Sequence, residues 1–268
     1  GLARSDASAD ALAAAGAEVH RGDLDDLDSL RSAAAAADGV IHLAYIHDFE
    51  NYAAAAETDR RVIETIGETL AGSDRPFVVT SGMAGVAAGR LLTEDDPADP
   101  AFPRASETAL SFSSRGVRVC ALRLPPSVHG EHDHGFVPRL IDIAREKGVS
   151  AYPGDGSNRW SSVHRFDAAR LFRLALQAAP TGTRLHAVGD EGIPVRDIAD
   201  VIGRQLAVPV TAVASENAMD HFGWLGGFFS LDIPASSAIT RELLGWQPTQ
   251  PGLIDDLGQR HYFDDLAA

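Results

Sequence analysis

The run Val40-Ile41-His42-Leu43-Ala44, the helix-patterned segment over residues 51–70, and the run Phe77-Val78-Val79-Thr80-Ser81-Gly82 together decide the fold of this chain. The two runs are continuously apolar at their centres rather than alternating, which is the pattern of strands covered on both faces. Between them Ile63, Ile66 and Leu70 recur at helical spacing, with Arg60 and Arg61 suited to the polar face. Strand, long helix and strand in that order form a parallel βαβ unit, because parallel neighbours need a crossover of this length. Toward the N-terminus, residues 26–37 read as a helix opened by acidic residues, which suit the positive end of its dipole, and closed at Asp38-Gly39. Ahead of it, residues 17–20 read as a short strand running into Gly22-Asp23, and residues 8–15 as a helix stopped by Gly16. Toward the C-terminus, residues 104–114 read as a helix and 117–124 as a strand. The chain is expected to be α/β, with a doubly wound parallel sheet covered by helices on both faces.

Past residue 130 the rhythm loosens. Helices are expected over 137–147, 167–179 and 195–206, strands over 184–188 and 208–213, and helical pieces over 235–244 and 253–262, with a turn-rich loop at 154–158. The expected division is residues 1–130 as one domain and 131–268 as a smaller α/β part, with segments near 160–190 returning to the main sheet.

Composition narrows the function. Of 268 residues, 45% are hydrophobic and 23% charged, so the chain can bury a core. Its 23 Lys and Arg against 38 Asp and Glu give a net charge of −15, a field that repels nucleic-acid backbones and anionic bilayers; neither is an expected partner, and a small-molecule substrate is. The single cysteine, Cys120, stands in an apolar run, reads as a core thiol and suits the reducing cytoplasm. No stretch of about 18 apolar residues is present, and the first residues lack the basic and apolar regions of a signal peptide.

In open parallel sheets ligands bind beyond the carboxyl ends of the strands. Those ends read Leu2-Ala3-Arg4-Ser5, Gly22-Asp23-Leu24, Leu43-Ala44-Tyr45, Thr80-Ser81-Gly82 and Leu124-Pro125-Pro126-Ser127-Val128-His129-Gly130. With Val163-His164-Arg165-Phe166-Asp167-Ala168-Ala169 and Leu243-Leu244-Gly245-Trp246-Gln247-Pro248 after them, this ordered set resembles the extended short-chain dehydrogenase/reductases, the NAD-dependent epimerase/dehydratase group, over nearly the whole chain. The resemblance implies that the first domain binds NAD(P) and that the second holds substrate. It also implies a Rossmann-type sheet and a glycine-rich pyrophosphate turn upstream of Gly1, since Gly1 stands near the end of the family's second strand. It further implies that Asp23 and Leu24 bracket the adenine, that Leu43, Ala44, Tyr45 and Thr80 line the cofactor, and that Pro125, Pro126 and Ser127 pass beside the nicotinamide amide. His164 is expected to face the substrate side and Asp167 to cap a helix.

Two features set this chain apart. At the end of the second strand stands Arg4-Ser5, where an acidic residue selects NAD; an arginine offers charge to a 2′-phosphate, so NADP(H) is the expected cofactor and NAD the alternative. The family's Tyr-x-x-x-Lys pair is missing: the four tyrosines are Tyr45, Tyr52, Tyr152 and Tyr262, and the interval between Gly82 and Val117 holds no tyrosine or lysine, only Pro103-Arg104-Ala105-Ser106-Glu107. Candidate catalytic groups at the correct sheet end are therefore Tyr45, Ser81 and His129, with His47, His132 and His134 behind them. Tyr45 follows the strand immediately and serves as an acid if a cation lowers its pKa. Ser81 orients a carbonyl, although strict alignment puts Gly82 at the family's position.

The alternating His132 and His134 invite a metal reading, weighed against a substrate loop and a solvated one; no metal is expected. Arg159-Trp160 reads as a pocket wall or as packing. The aromatic cluster at 222–229 reads as a pocket wall, as core of the second part, or as the subunit contact of a homodimer. The leading expectation is an NADP(H)-dependent oxidoreductase that reduces a carbonyl or related group of a small, mostly apolar molecule. A nucleotide-sugar epimerase or dehydratase and a non-catalytic NADP sensor are the alternatives.

Overall fold

The computed structural model describes residues 1–48, 51–86, 89–99, 101–102, 104 and 106–263. Pro103 and Ala105 of the stretch noted above lie outside the described residues. The chain forms two compact units: residues 1–81, 100–121 and 175–183 make the first, and residues 82–99, 122–174 and 184–268 the second.

In the first unit, β1 (Leu2–Ala3) leads into α1 (Asp6–Ala14), whose N-terminus is closed by a capping box between Ser5 and Ser8. β2 (His20–Arg21) pairs in parallel with β1. α2 (Leu27–Ala36) starts where expected because the Asp26 carboxylate accepts from the Ser29 amide. β3 (Val40–His42) stops two residues short of Ala44, so Leu43 and Ala44 stand beyond the strand and are exposed. α3 (Tyr52–Leu70) and β4 (Pro76–Gly82) follow, and β3 and β4 pair in parallel with Val40 opposite Phe77 and His42 opposite Val79. Residues 106–115 coil as 3₁₀ turns instead of the expected α-helix. The cause is local: the Ser111 and Ser114 hydroxyls donate to the Thr108 and Ser111 carbonyls at 2.8 and 2.9 Å, competing with the backbone ladder. The core is built by Val62, Ile63, Ile66 and Leu70 of α3 against Phe77, Val79 and Val119, with Leu30 from α2 and Phe112 from the 3₁₀ turns.

β5 (Arg118–Leu124) begins in the first unit and runs on along the chain into the second, where β6 (Ser127–His129) and α4 (Phe136–Lys147) follow. Two strands that the sequence does not advertise come next, β7 (Ser150–Pro153) and β8 (Arg159–His164). α5 (Arg165–Ala178), β9 (Thr183–His186), β10 (Asp190–Pro194), α6 (Val195–Leu206) and β11 (Val210–Val213) continue the alternation. Short helices α7 (Ala218–Phe222), α8 (Leu225–Phe229), α9 (Ala238–Leu244) and α10 (Leu253–Leu257) close the chain.

The sheet that contains β3 has the order β3-β4-β5-β9. In the second unit β8 lies between β6, which it joins in parallel, and β10, which it joins antiparallel, and β7 pairs in parallel with β11. The chain is thus α/β with parallel pairing dominant. The second core gathers Val137, Ile141 and Ile143 of α4, Ile198 and Ile202 of α6, and Trp160, Phe222, Leu225 and Phe229.

Those last residues bear on two open readings. Trp160 is fully buried on β8 and meets Phe229 edge to face at 5.1 Å, so it is core rather than pocket wall. Arg159 pairs with the Asp232 carboxylate at 2.9 Å. Phe222, Leu225 and Phe229 of the aromatic cluster belong to that same core. Cys120 is buried, and desolvation pushes its thiol pKa up to about 12. Asp167 does not cap α5: it lies in the helix's first turn, and its carboxylate takes the Thr249 and Gln250 amides at 2.9 Å, latching the C-terminal segment to the helix. No helix among the described residues is long and apolar enough to cross a membrane.

Candidate functional site

The site in the first unit grows from a carboxylate in an unexpected place. Asp59 falls on the same stripe of α3 as Ile63, Ile66 and Leu70, and is 4% exposed. A carboxylate buried on an apolar stripe must be paired and hydrogen-bonded to persist. Its Oδ1 lies 2.7 Å from His42 Nε2, at the end of β3. Its Oδ2 accepts from the Ser106 hydroxyl at 2.8 Å and lies 3.5 Å from Arg104 Nε. Burial alone would raise the Asp59 pKa, but His42, Arg104 and Ser106 together outweigh it and hold the carboxyl below its ordinary value. An ionised Asp59 only accepts, so the hydrogen between it and His42 sits on Nε2.

Arg104 carries this network to the strand ends. Its guanidinium donates to the Thr80 carbonyl at 3.3 Å and to Ser106 Oγ at 3.2 Å. Its guanidinium carbon stands over the Tyr45 ring, 3.8 Å from the centroid. Tyr45 also meets the His47 ring edge-on at 5.3 Å and the Tyr52 ring, at the start of α3, at 6.4 Å. Burial raises the Tyr45 pKa above its ordinary value and Tyr52 adds to the rise, while Arg104 opposes it without prevailing. The expected cation is therefore present beside Tyr45, but the expected fall in pKa does not result. The phenol stays protonated across the neutral range and is a donor, not a base. Burial, seconded by the Arg104 charge, lowers the His47 pKa.

The other expected residues of this unit are placed as follows. The Ser81 side chain is buried, with its hydroxyl 3.5 Å from Glu107 Oε1. Thr80 donates its hydroxyl to the His42 carbonyl at 2.7 Å, so it stitches β4 to β3 rather than offering a free group. Arg4 is exposed, with Nε 3.7 Å from the Asp23 carboxylate. Ser5 is committed to capping α1. Leu24 packs against the α3 core, and Leu43 is 59% exposed. Arg104 links Tyr45 and Thr80, whereas the contact of Ser81 is with Glu107. His42, Asp59, Arg104 and Ser106 were missed by sequence reasoning, although a histidine inside an apolar strand and an aspartate on an apolar helical stripe are both signals that a buried polar network is present.

Exposed side chains stand after β1 and after β3. Arg4 offers an exposed guanidinium of the kind a phosphate takes, and Leu43 with Ala44 presents an uncovered apolar edge. Within the second unit, Pro125 and Ser127 are buried, Pro126 is half-buried, and the Ser127 hydroxyl has no hydrogen-bond partner among the described residues.

The third catalytic candidate, His129, also lies in the second unit and has no exposed surface. Its Nδ1 lies 2.8 Å from Asp256 Oδ2, and its Nε2 has no partner among the described residues. The Tyr262 hydroxyl accepts from the Gly130 amide at 3.0 Å and stands 3.3 Å from both Asp133 and Asp256. Burial lowers the His129 pKa, keeping the imidazole neutral at pH 7. The His164 ring meets that of His129 edge-on at 5.3 Å, and its Nδ1 accepts from the Phe166 amide. His132 and His134 are exposed. Among the described residues no group of three or more His, Cys, Asp or Glu is arranged to hold a metal ion.

Comparison with known proteins follows the same lines. Residues 1–188 match the model of the NAD dependent epimerase/dehydratase family. The chain is 50% identical over 267 residues to the uncharacterized protein C2A9.02 of Schizosaccharomyces pombe, covering 98% of this chain and 90% of that one. It is 44% identical over 263 residues to the uncharacterized protein YLL056C of Saccharomyces cerevisiae, covering 96% and 88%. Among solved structures it is similar to a double mutant of DesIV, a dTDP-glucose 4,6-dehydratase from Streptomyces venezuelae with NAD and DAU bound, at 20% identity and a TM-score of 0.77 over 97% of this chain and 84% of that one. It is also similar to MoeE5 in complex with UDP-glucose and NAD, at 18% identity and a TM-score of 0.71 over 94% and 92%. At those identities the likeness is one of fold.

Proposed function

Because the chain belongs to the NAD dependent epimerase/dehydratase family, we propose that it is an NADP(H)-dependent oxidoreductase reducing a carbonyl or related group of a small, mostly apolar molecule. The observation that carries this reading is the placement of Tyr45, on the loop directly after β3, with its ring beneath the Arg104 guanidinium. When bound, the reduced nicotinamide supplies a hydride. The protein's own task is then to hold the cofactor and to deliver a proton to the oxygen being reduced.

Tyr45 Oη is the proton donor in this reading. Burial keeps the phenol protonated at neutral pH, as an acid has to be on arrival, while making its proton harder to release. Ser81, at the end of β4, orients the carbonyl oxygen. Arg4 binds the 2′-phosphate of the adenosine ribose, Asp23 and Leu24 flank the adenine, and Leu43 and Ala44 supply the apolar edge on which the cofactor rests. NAD is the alternative cofactor, as in the named neighbours.

The sugar epimerase and dehydratase reading has the family's name and its neighbours' substrates in its favour. Against it, the interval from Gly82 to Val117 lacks both tyrosine and lysine. Cofactor choice provides the test. Fluorescence titration with NADPH and NADH is expected to show tighter NADPH binding, and Arg4→Asp to reverse the order. An Arg4→Asp variant with unchanged preference would refute the cofactor assignment.

A further inference from the structure

Resting on the reading of Tyr45 as proton donor, we infer that Arg104 is a positioning residue, clamped by the Asp59 network so that its guanidinium stabilises the negative charge left on the Tyr45 ring as the hydroxyl proton departs.

The geometry is that of a planar cation on an aromatic face, 3.8 Å from guanidinium carbon to ring centroid. Toward a neutral phenol such a cation feels only the ring's quadrupole. A tyrosinate delocalises a full charge into the same ring, so the attraction grows while the proton leaves. An interaction that is stronger in the transition state than in the ground state is the kind that raises kcat.

Arg104 cannot drift from the ring cheaply. Asp59 Oδ2, Ser106 Oγ and the Thr80 carbonyl hold it at 3.5, 3.2 and 3.3 Å, and Asp59 is itself fixed by His42 at 2.7 Å. Tyr52 from α3 and the Asp59 carboxylate both disfavour charge on Tyr45, and Arg104 is the group that favours it. The neighbouring His47, lowered in pKa by burial and by Arg104, is neutral at pH 7 and supplies no second cation.

The step balances. The carbonyl carbon gains the hydride that the reduced nicotinamide gives up in being oxidised. The carbonyl π pair moves to oxygen, oxygen takes the Tyr45 proton, and the tyrosinate regains a proton from water.

The decisive experiment needs no turnover. Trifluorotyrosine, whose phenol ionises well below that of tyrosine, is placed at position 45, and its ¹⁹F resonance is titrated with pH in the native protein, in the Arg104→Met variant and in Arg104→Lys. Arg104→Met is expected to reduce the acidity of that phenol about tenfold or more, as the loss of a close cation does. Arg104→Lys, which keeps the charge and loses the flat stack, is expected to fall between the two. If Arg104→Met fails to fold, Arg104→Lys carries the comparison. A titration that neither variant moves would overturn the inference. Under turnover, Arg104→Met is expected to lower kcat on the order of tenfold to a hundredfold while leaving the KM for NADPH in place. Absence of any NADPH oxidation by the unaltered protein would defeat the carbonyl-reductase reading instead, and the ¹⁹F titration would still decide the role of Arg104.

Discussion

Replacing Asp59 with alanine probes the network on which the site is built. The carboxylate is 4% exposed, and its loss leaves the His42 Nε2 hydrogen without its acceptor, the buried Ser106 hydroxyl without its acceptor, and the Arg104 guanidinium without its counter-charge. A buried donor left unsatisfied costs about 1–3 kcal/mol, and removing one partner of a buried ion pair about 3–5 kcal/mol. Three considerations put the value near the lower end of the second range. Arg104 keeps 16% of its side-chain exposure and its bonds to Thr80 and Ser106, and the Ser106 hydroxyl is able to rotate. Asp59→Ala is therefore expected to destabilise the protein by about 3 kcal/mol at neutral pH. Asp59→Asn, which retains an oxygen for His42, is expected to lose about 1–2 kcal/mol. Because the folded-state pKa of Asp59 is depressed, its stabilisation is fully present above the unfolded-state value near 3.9 and is lost as pH falls through the folded value. The gap between the native protein and Asp59→Ala should accordingly narrow in acid. Urea unfolding followed by circular dichroism at pH 7 and again below about pH 4 measures both quantities. A penalty under about 1 kcal/mol at pH 7, the size of an exposed pair, or a gap that widens in acid, would refute the reasoning.

Other parts of the molecule give sharp expectations. Asp167→Ala strands the Thr249 and Gln250 amides and should cost about 2–3 kcal/mol, read as a lower Tm together with faster proteolysis of the C-terminal segment. Gly226→Ala drives a Cβ into the Ala218 carbonyl oxygen, a backbone atom that cannot swing aside, and should destabilise the second unit by about 1–3 kcal/mol in thermal denaturation. Cys120, with its pKa pushed up to about 12 by burial, should resist a thiol reagent at pH 8 in the native protein and react at once in denaturant; rapid native labelling would contradict its place in the core.

The sequence made the βαβ frame legible because α3, β3 and β4 obey their periodicities, and because Asp26 and the acidic first turn mark the start of α2. β8 was hidden for a physical reason. Ser161 and Ser162 break both the apolar run and the alternation around Trp160 and Val163, yet both serines are buried, one bonded to the Ile233 carbonyl and the other to Asp190, partners far away in the chain. Asp167 misled in the same manner: an acidic residue near a helix start reads as a cap, and only the fold reveals the two amides some 80 positions later that it serves. At the candidate site, Tyr45 and Ser81 are legible because one stands just past the carboxyl end of a strand and the other at such an end. The sign of the Tyr45 pKa shift could not, since it is set by how completely the ring is desolvated, a sum over neighbours from several elements. Arg104 was visible as a residue but not as a partner, since its stack on Tyr45 spans a sequence distance that no local pattern encodes.

The account stands most directly on the role of Tyr45. Absorbance at 340 nm, with NADPH and a panel of small apolar aldehydes and ketones, compares the native protein with Tyr45→Phe, whose NADPH affinity is measured separately. The account predicts NADPH oxidation with at least one carbonyl, a rate on the order of 10²–10⁴ lower in Tyr45→Phe, and equal cofactor affinity in the two proteins. NADPH bound tightly without oxidation by any carbonyl, or full activity in Tyr45→Phe, would contradict it.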